Sequence, residues 1–223
     1  MYVEQIMSRE VDSVTQEMKI SQASHLMKQR NRRYLPVVDR DNRLVGMFGR
    51  QHLLQAEPSA ITTLSVGEVN YLTSKVTVGQ LMDKKPFSCT RRTLIEKAGQ
   101  IIRENKIGCL PVVEDGRVVG VVSETDILDF FLDITGSNLN ETTRIAVKLP
   151  NKVRELANFL NKISDAGGYI SSVVSPTSES SRERRTVIVR YIADNPDQID
   201  QHLRDLGFEI ITEDKPAAGG KTP

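Results

Sequence analysis

The feature that most limits what this chain can fold into is that its N-terminal part is written twice. LPVVD at Leu35–Asp39 returns as LPVVE at Leu110–Glu114, and Ile6-Met7 returns as Leu81-Met82, in both cases seventy-five positions on. RLVGM at Arg43–Met47 then matches RVVGV at Arg117–Val121 seventy-four positions on, because Asp39-Arg40-Asp41-Asn42 has shortened to Glu114-Asp115-Gly116. A loop has lost one residue while the apolar runs on either side have kept theirs. Self-similarity of this kind means two copies of one supersecondary unit packed against each other.

Each copy reads strand, helix, strand, strand, helix. Apolar residues at helical spacing place Ile20, Ala23, Leu26 and Met27 on one face in copy one, and Leu94, Ala98, Ile101 and Ile102 in copy two. The LPVV and VVGVV runs are apolar and β-branched, as strands covered on both sides are. Asp115-Gly116 between them is the signal of a two-residue hairpin. Residues 56–75 join the copies and read as partly helical, with Glu57-Pro58-Ser59 as a break.

The composition sets bounds. With 223 residues, 39% hydrophobic and 26% charged, the chain is globular and long enough for two cores. A net charge of +1 provides no field to gather nucleic acid. No apolar run is long enough to span a bilayer, and MYVEQIMSRE lacks the apolar core of a leader. Cys89 and Cys109 fit no metal or redox spacing and point to a reducing compartment, with the cytoplasm as the expected address.

Copy two ends in GVVSETDIL, Gly120–Leu128. Ser123-x-x-Asp126 by itself reads as a helix cap, a hydroxyl and a carboxylate three residues apart at a helix start. Copy one has GMFGRQHLL there, with Gly49 for the Ser and His52 for the Asp. Gly is a tolerable cap, so the pair in copy two points to a job beyond capping. Backbone N–H groups and the helix dipole favour a phosphate at such a terminus. A carboxylate one turn in can accept both hydroxyls of a ribose.

Two copies of this unit, with paired LPVV strands, a hairpin and GVVSETD, resemble a tandem pair of CBS domains (a Bateman module) over residues 1 to about 136. The resemblance implies a regulatory fold that binds an adenosyl ligand such as AMP, ADP, ATP or S-adenosylmethionine between the copies. By position it assigns Ser123, Thr125 and Asp126 to the ribose and phosphate. To the rest of the ligand it assigns Val11, Ser13 and Val14, Tyr34, Leu35 and Pro36, and Lys106 and Cys109. A mirror site would use Gly49 and His52 with Phe87, Ser88 and Cys89. It lacks both diagnostic groups, so one good site per chain is expected.

After a polar stretch at Gly136–Thr142 the pattern changes. Ile145, Val147 and Leu149 alternate as a strand, and Val153, Leu156, Ala157, Leu160 and Ile163 form a helical stripe closed by Gly167-Gly168. Strands at Tyr169–Val174 and Thr186–Ile192 follow. A helix then carries Ile199, Leu203 and Leu206, and a last strand Phe208, Ile210 and Thr212. The order βαββαβ is ferredoxin-like. With LPNKV in the first turn and AGGYI after the helix, this part resembles an ACT domain, which implies dimerisation or a second small-molecule input. Lys148 and Asn151 stand where an ACT turn has Asp and Gly, and Asn151 is expected to take the left-handed backbone Gly would supply.

The fold class is therefore mixed α+β and α/β: CBS domains over 1–62 and 63–136, a linker over 137–142, an ACT domain over 143–214 and a disordered tail over 215–223. A CBS pair followed by one ACT domain is the layout of the acetoin-utilisation (AcuB) family, and the resemblance implies a homodimer acting on a partner enzyme.

Other side chains read more plainly. His25, His52 and His202 lack metal spacing, so no metal is expected. Both cysteines read as small core residues. Arg30-Asn31-Arg32-Arg33 is a solvated cluster from which Arg32 or Arg33 can reach a ligand phosphate. Without GxGxxG, Walker A, HExxH or GxSxG the enzyme reading is weak. A nucleic-acid-binding regulator lacks a helix-turn-helix and a basic face. The favoured reading is a non-catalytic sensor of an adenine nucleotide, with no required cofactor.

Overall fold

In the computed structural model, described over residues 1–56, 75–139, 141–176 and 183–211, the chain divides into two compact units, Met1–Phe130 and Phe131–Pro223. The break expected at Glu57-Pro58-Ser59, the last-strand residue Thr212 and the tail at Lys215–Pro223 lie outside the described residues.

The first unit holds the repeat. Copy one contributes α1 (Ile20–Gln29), the antiparallel hairpin β1 (Tyr34–Val38) and β2 (Leu44–Gly49), and α2 (Arg50–Ala56). Copy two follows a short α3 (Val78–Leu81) with α4 (Ile95–Asn105), the hairpin β3 (Cys109–Glu114) and β4 (Arg117–Ser123), and α5 (Glu124–Ile134). Asp115 and Gly116 both have positive φ, 50° and 79°, as a primed two-residue turn needs. The first strand of each copy is reduced to one parallel bridge, Val14 to Val37 and Cys89 to Val112.

The helical faces hold, with one correction. Ile20, Ala23 and Met27 are buried in α1, and Ile95, Ala98 and Ile102 in α4. The partner of Ile20 is thus Ile95, and the expected Leu94 stands at the helix cap, 49% exposed. In a strand-like cap conformation its side chain points away from the stripe that begins one residue later.

The two cores reveal an exchange of segments. Val3 and Met7, from the start of copy one, pack with Cys89, Leu110, Val112 and Val122 of copy two. Val78 and Met82, their equivalents, pack with Val14, Leu35, Val37 and Phe48 of copy one. The backbone follows: Ser8 bridges Val121 and Asp83 bridges Met47. Two glycines make the crossing possible. A Cβ on Gly46 would lie 2.5 Å from Met82 Sδ, and one on Gly120 would lie 2.8 Å from Met7 Sδ. Each copy therefore completes its core only with the first turn of the other.

The second unit has β5 (Thr143–Pro150), α6 (Glu155–Asp165), β6 (Tyr169–Val174), β7 (Arg184–Ile192), α7 (Pro196–Asp205) and β8 (Glu209–Ile211). Its sheet has the order β6-β7-β5-β8, with every pairing antiparallel. This is the ferredoxin-like βαββαβ arrangement. Ile145, Val147, Leu149, Val187, Val189 and Tyr191 face the helices and pack on Phe159, Ile163, Ile199 and Leu203.

The turn into α6 departs from expectation. The helix starts at Glu155, so Val153 is 90% exposed and Ala157 is also on the surface, while Phe159 is fully buried. The left-handed residue is Arg154, with φ 74°, and Asn151 is not among the positive-φ residues. Asn151 instead extends the strand pairing, its N–H donating to the Glu183 carbonyl at 2.8 Å. The reversal falls three residues later than the Pro-Gly analogy places it.

Candidate functional site between the repeats

β4 ends at Ser123 and α5 begins at Glu124, so the hydroxyl of Ser123 sits where strand becomes helix. Asp126 turns back to that point. Its Oδ2 accepts from the Ser123 N–H at 2.7 Å and from Ser123 Oγ at 2.7 Å, and the Asp126 N–H donates to Ser123 Oγ at 3.3 Å. The pair is a reciprocal cap in which both donors share one carboxylate oxygen. Both side chains are only partly buried, while Thr125 is exposed.

Copy one shows what replaces this. Gly49 has no hydroxyl, and His52 Nδ1 accepts the Gly49 N–H at 2.9 Å. The imidazole is 9% exposed and stacked on Phe48, with ring centroids 5.6 Å apart. Copy one therefore keeps a side-chain acceptor for the capping N–H, now an imidazole nitrogen, and gives up the carboxylate and the hydroxyl. Burial lowers the His52 pKa below 6.5, against a pull upward from Asp83. An acceptor at Nδ1 requires the neutral ring.

The two copies meet beside Ser123. Arg33 Nη2, from the residue before β1, donates to Thr125 Oγ1 at 3.2 Å. Tyr34 lies over Gly108, so that a Cβ there would run into the Tyr34 ring and hydroxyl. Cys109 pairs with Ser123 across the β3–β4 ladder, and the Glu124 N–H donates to the Gly108 carbonyl at 3.2 Å. Burial first, then Asp126 and Cys89, push the Cys109 thiol up to about 12, while Arg33 draws it down. Cys89 is likewise held up to about 11 by burial. Both stay protonated and unreactive near neutrality.

Of the residues expected at the site, Ser123, Thr125, Asp126, Cys109 and Tyr34 thus converge. Val14, Leu35 and Pro36 are buried on copy one's sheet, where the Val14 N–H donates to the Pro36 carbonyl at 3.0 Å. Val11 borders a cleft of about 470 Å³ lined also by Asp12, Arg30 and Arg32, and none of Ser123, Thr125 and Asp126 borders it. Ser13 is partly buried between Asp12 and Val14, and Lys106 is exposed in a left-handed position at the end of α4. For the mirror group, the bridge from Cys89 to Val112 puts the strand after Phe87 and Ser88 on copy two's sheet, while Gly49 ends copy one's second strand and His52 lies on α2.

Gly108 was not singled out in the sequence, although a signal was available: the repeat aligns Gly108 with Arg33 and Cys109 with Tyr34, so copy two has a small residue at each position where copy one has a large one. Arg32 and Arg33 differ in their partners: Arg32 Nε donates to Asp12 Oδ2 at 2.9 Å, while Arg33 reaches α5. Among the described residues no helix is long and apolar enough to cross a membrane.

Known proteins agree with this picture of the first unit. The chain is 29% identical over 126 residues, 56% of its length, to homoserine O-acetyltransferase of Methanococcus vannielii, of which it spans 24%. It spans between 23% and 46% of the length of three curated relatives it matches. Among solved structures, the acetoin utilisation protein AcuB from Vibrio cholerae superposes with a TM-score of 0.52 at 23% identity, covering 62% of this chain and 95% of that one. CBSX2 of Arabidopsis thaliana, solved in complex with AMP, does so with 0.50 at 27% identity, covering 60% and 97%. The CBS-domain family matches residues 3–59 and 78–133, just over half the sequence, and the chain belongs to that family.

Proposed function

We propose that the chain is a non-catalytic sensor that binds one adenosyl ligand per chain at Ser123, Thr125 and Asp126, facing Arg33 and Tyr34 of the other copy. The observation that carries the reading is the Ser123–Asp126 pair at the start of α5, in a chain whose family includes a member solved with AMP. The dipole of the helix start suits a phosphate. Asp126 Oδ2 is taken by the cap, which leaves Oδ1 for ribose hydroxyls.

The domain limits follow as part of the proposal: CBS domains over 1–62 and 63–136 with exchanged first turns, and an ACT domain over 143–214. The βαββαβ sheet supports the ACT reading, and its edge strand β6, with Tyr169 72% exposed, suits edge pairing in a homodimer. A cleft of about 240 Å³ beside Tyr191, Asp197, Asp200 and Arg204 offers room for a second small molecule. The layout of CBS pair and ACT domain supports regulation of a partner enzyme in acetoin or related carbon metabolism, in the cytoplasm.

The test is calorimetric titration of the full chain with AMP, ADP, ATP, S-adenosylmethionine, NAD and cyclic di-AMP, repeated with Asp126→Asn. Asn keeps a cap acceptor and removes the charge. Binding of an adenosyl ligand that the substitution abolishes is expected. Binding of none of them would refute the sensor, and binding indifferent to Asp126→Asn would move the site elsewhere.

A further inference from the structure

We infer that the cleft between α7 and the strands β5 and β8 of the second unit binds a primary ammonium carried on a short, branched apolar body. The inference names the ligand class of the second input proposed above, on which it rests, and stands apart from the adenosyl site.

The cleft, of about 240 Å³, is bordered by the first residues of β5, Thr143 to Ile145. The turn that the ACT resemblance singles out, with Lys148 and Asn151, lies toward the other end of that strand. Ile145, Ile210 and Ile211 give the cleft an apolar side. The polar side comes from α7. Asp197, Asp200 and Arg204 recur at three and four residues, which sets them on one face of the helix. Ile199 and Leu203 of the same helix turn to the core.

Tyr191 joins the two sides. It is fully buried yet borders the cleft, and its hydroxyl donates to the Pro196 carbonyl at 3.3 Å. That bond is longer than the usual O–H···O range of about 2.5–3.0 Å. It engages the hydroxyl only as a donor, and the phenolic oxygen keeps its capacity to accept. Burial first, then Asp200 and Asp197, raise the Tyr191 pKa, so both carboxylates act on that oxygen.

These groups select by charge and by donor count. Arg204 Nε is held by Asp200 Oδ2 at 3.1 Å, and Arg144 on the rim has a partner of its own. Asp197 makes no ion pair among the described residues, so the surplus charge in the cleft is negative. A metal ion is poorly served, because among the described residues no three metal-binding side chains come together. A primary ammonium has three N–H donors. The Tyr191 oxygen, Asp197 and the second oxygen of Asp200 are acceptors for them, while the three isoleucines cover an alkyl body.

The experiment follows amide chemical shifts of the isotope-labelled full chain during titration with isoamylamine, isocaproate and leucine. Isoamylamine should move Ile145, Ile210 and Ile211 in a saturable way, and isocaproate, a branched alkyl body on a carboxylate, should not. Asp197→Asn should weaken the amine by about threefold to fivefold, the range of an exposed ion pair, and Tyr191→Phe by about as much. Unchanged shifts elsewhere in the sheet separate a lost contact from a lost fold. No saturable shift with isoamylamine overturns the inference, as does equal binding of isocaproate or an affinity unchanged in Asp197→Asn. Leucine binding more tightly than isoamylamine would make this an amino-acid site and overturn it also. None of these outcomes bears on the AMP titration, so the adenosyl reading stands or falls separately.

Discussion

Copy one and copy two are built on the same hairpin and the same helix start, yet only copy two has a hydroxyl and a carboxylate there. In both, an N–H at the end of the second strand must find an acceptor three residues on. Copy two uses Asp126 and copy one uses His52. This alters what the repeat teaches. Comparing GVVSETD with GMFGRQH suggests that the fold can do without the acidic residue, and the structure shows that both copies nonetheless supply an acceptor. His52 performs the cap from a buried position, stacked on Phe48, where it presents no carboxylate to a cleft. Asp126 differs from His52 in its second oxygen, its partial exposure and the side chains that copy one brings beside it.

The largest expected effect tests whether the copies are separable at all. Leu35 and Leu110 are equivalent and both are fully buried. Replacing either with Ala should cost about 2–5 kcal/mol. Because each core contains the other copy's first turn, both variants should lower the same urea transition of the first unit. Two resolved transitions, each moved by one substitution only, would show that the copies fold independently.

A smaller effect probes the seam. Gly108→Ala drives a Cβ into the Tyr34 ring, and overpacking of this kind costs about 1–3 kcal/mol. Tyr34→Ala should remove most of that penalty, giving a clear coupling energy in a double-mutant cycle. Additive losses would mean that the two residues do not meet in solution.

The smallest effect separates the caps by pH. His52 has a folded pKa below 6.5, so as pH falls through that value the unfolded chain takes up a proton that the folded chain resists. Its contribution to stability is present above pH 6.5 and is lost as pH falls toward the folded value. His52→Gln keeps an acceptor for Gly49 and does not titrate. Melting temperatures recorded from pH 7.5 down to 5 should fall less for the variant than for wild type. Parallel curves would deny that His52 is buried neutral.

Much of this could be read from the chain, and the failures have physical causes. The hairpins, the helical faces and the second unit's succession of strands and helices follow from period and turn residues such as Asp115-Gly116, because these are local signals. The exchange of Val3 and Met7 for Val78 and Met82 was hidden. The repeat gives those residues identical environments and cannot say which copy supplies them. Leu94 and Val153 look like core because they sit at helical spacing from true core residues, but each lies just before its helix begins. Phe159 was passed over in favour of Ala157 within the same turn. At the site, Ser123 and Asp126 were legible as a motif. The closeness of Arg33 to Thr125 and of Tyr34 to Gly108 depends on how the copies dock, which no single copy encodes.

The count of ligands per chain tests the central claim most directly. With AMP titrated into a known concentration of the full chain, one molecule should bind per chain in wild type, one in His52→Gln and none in Asp126→Asn. Two per chain in wild type, or one per chain persisting in Asp126→Asn, would contradict a single site at the head of α5.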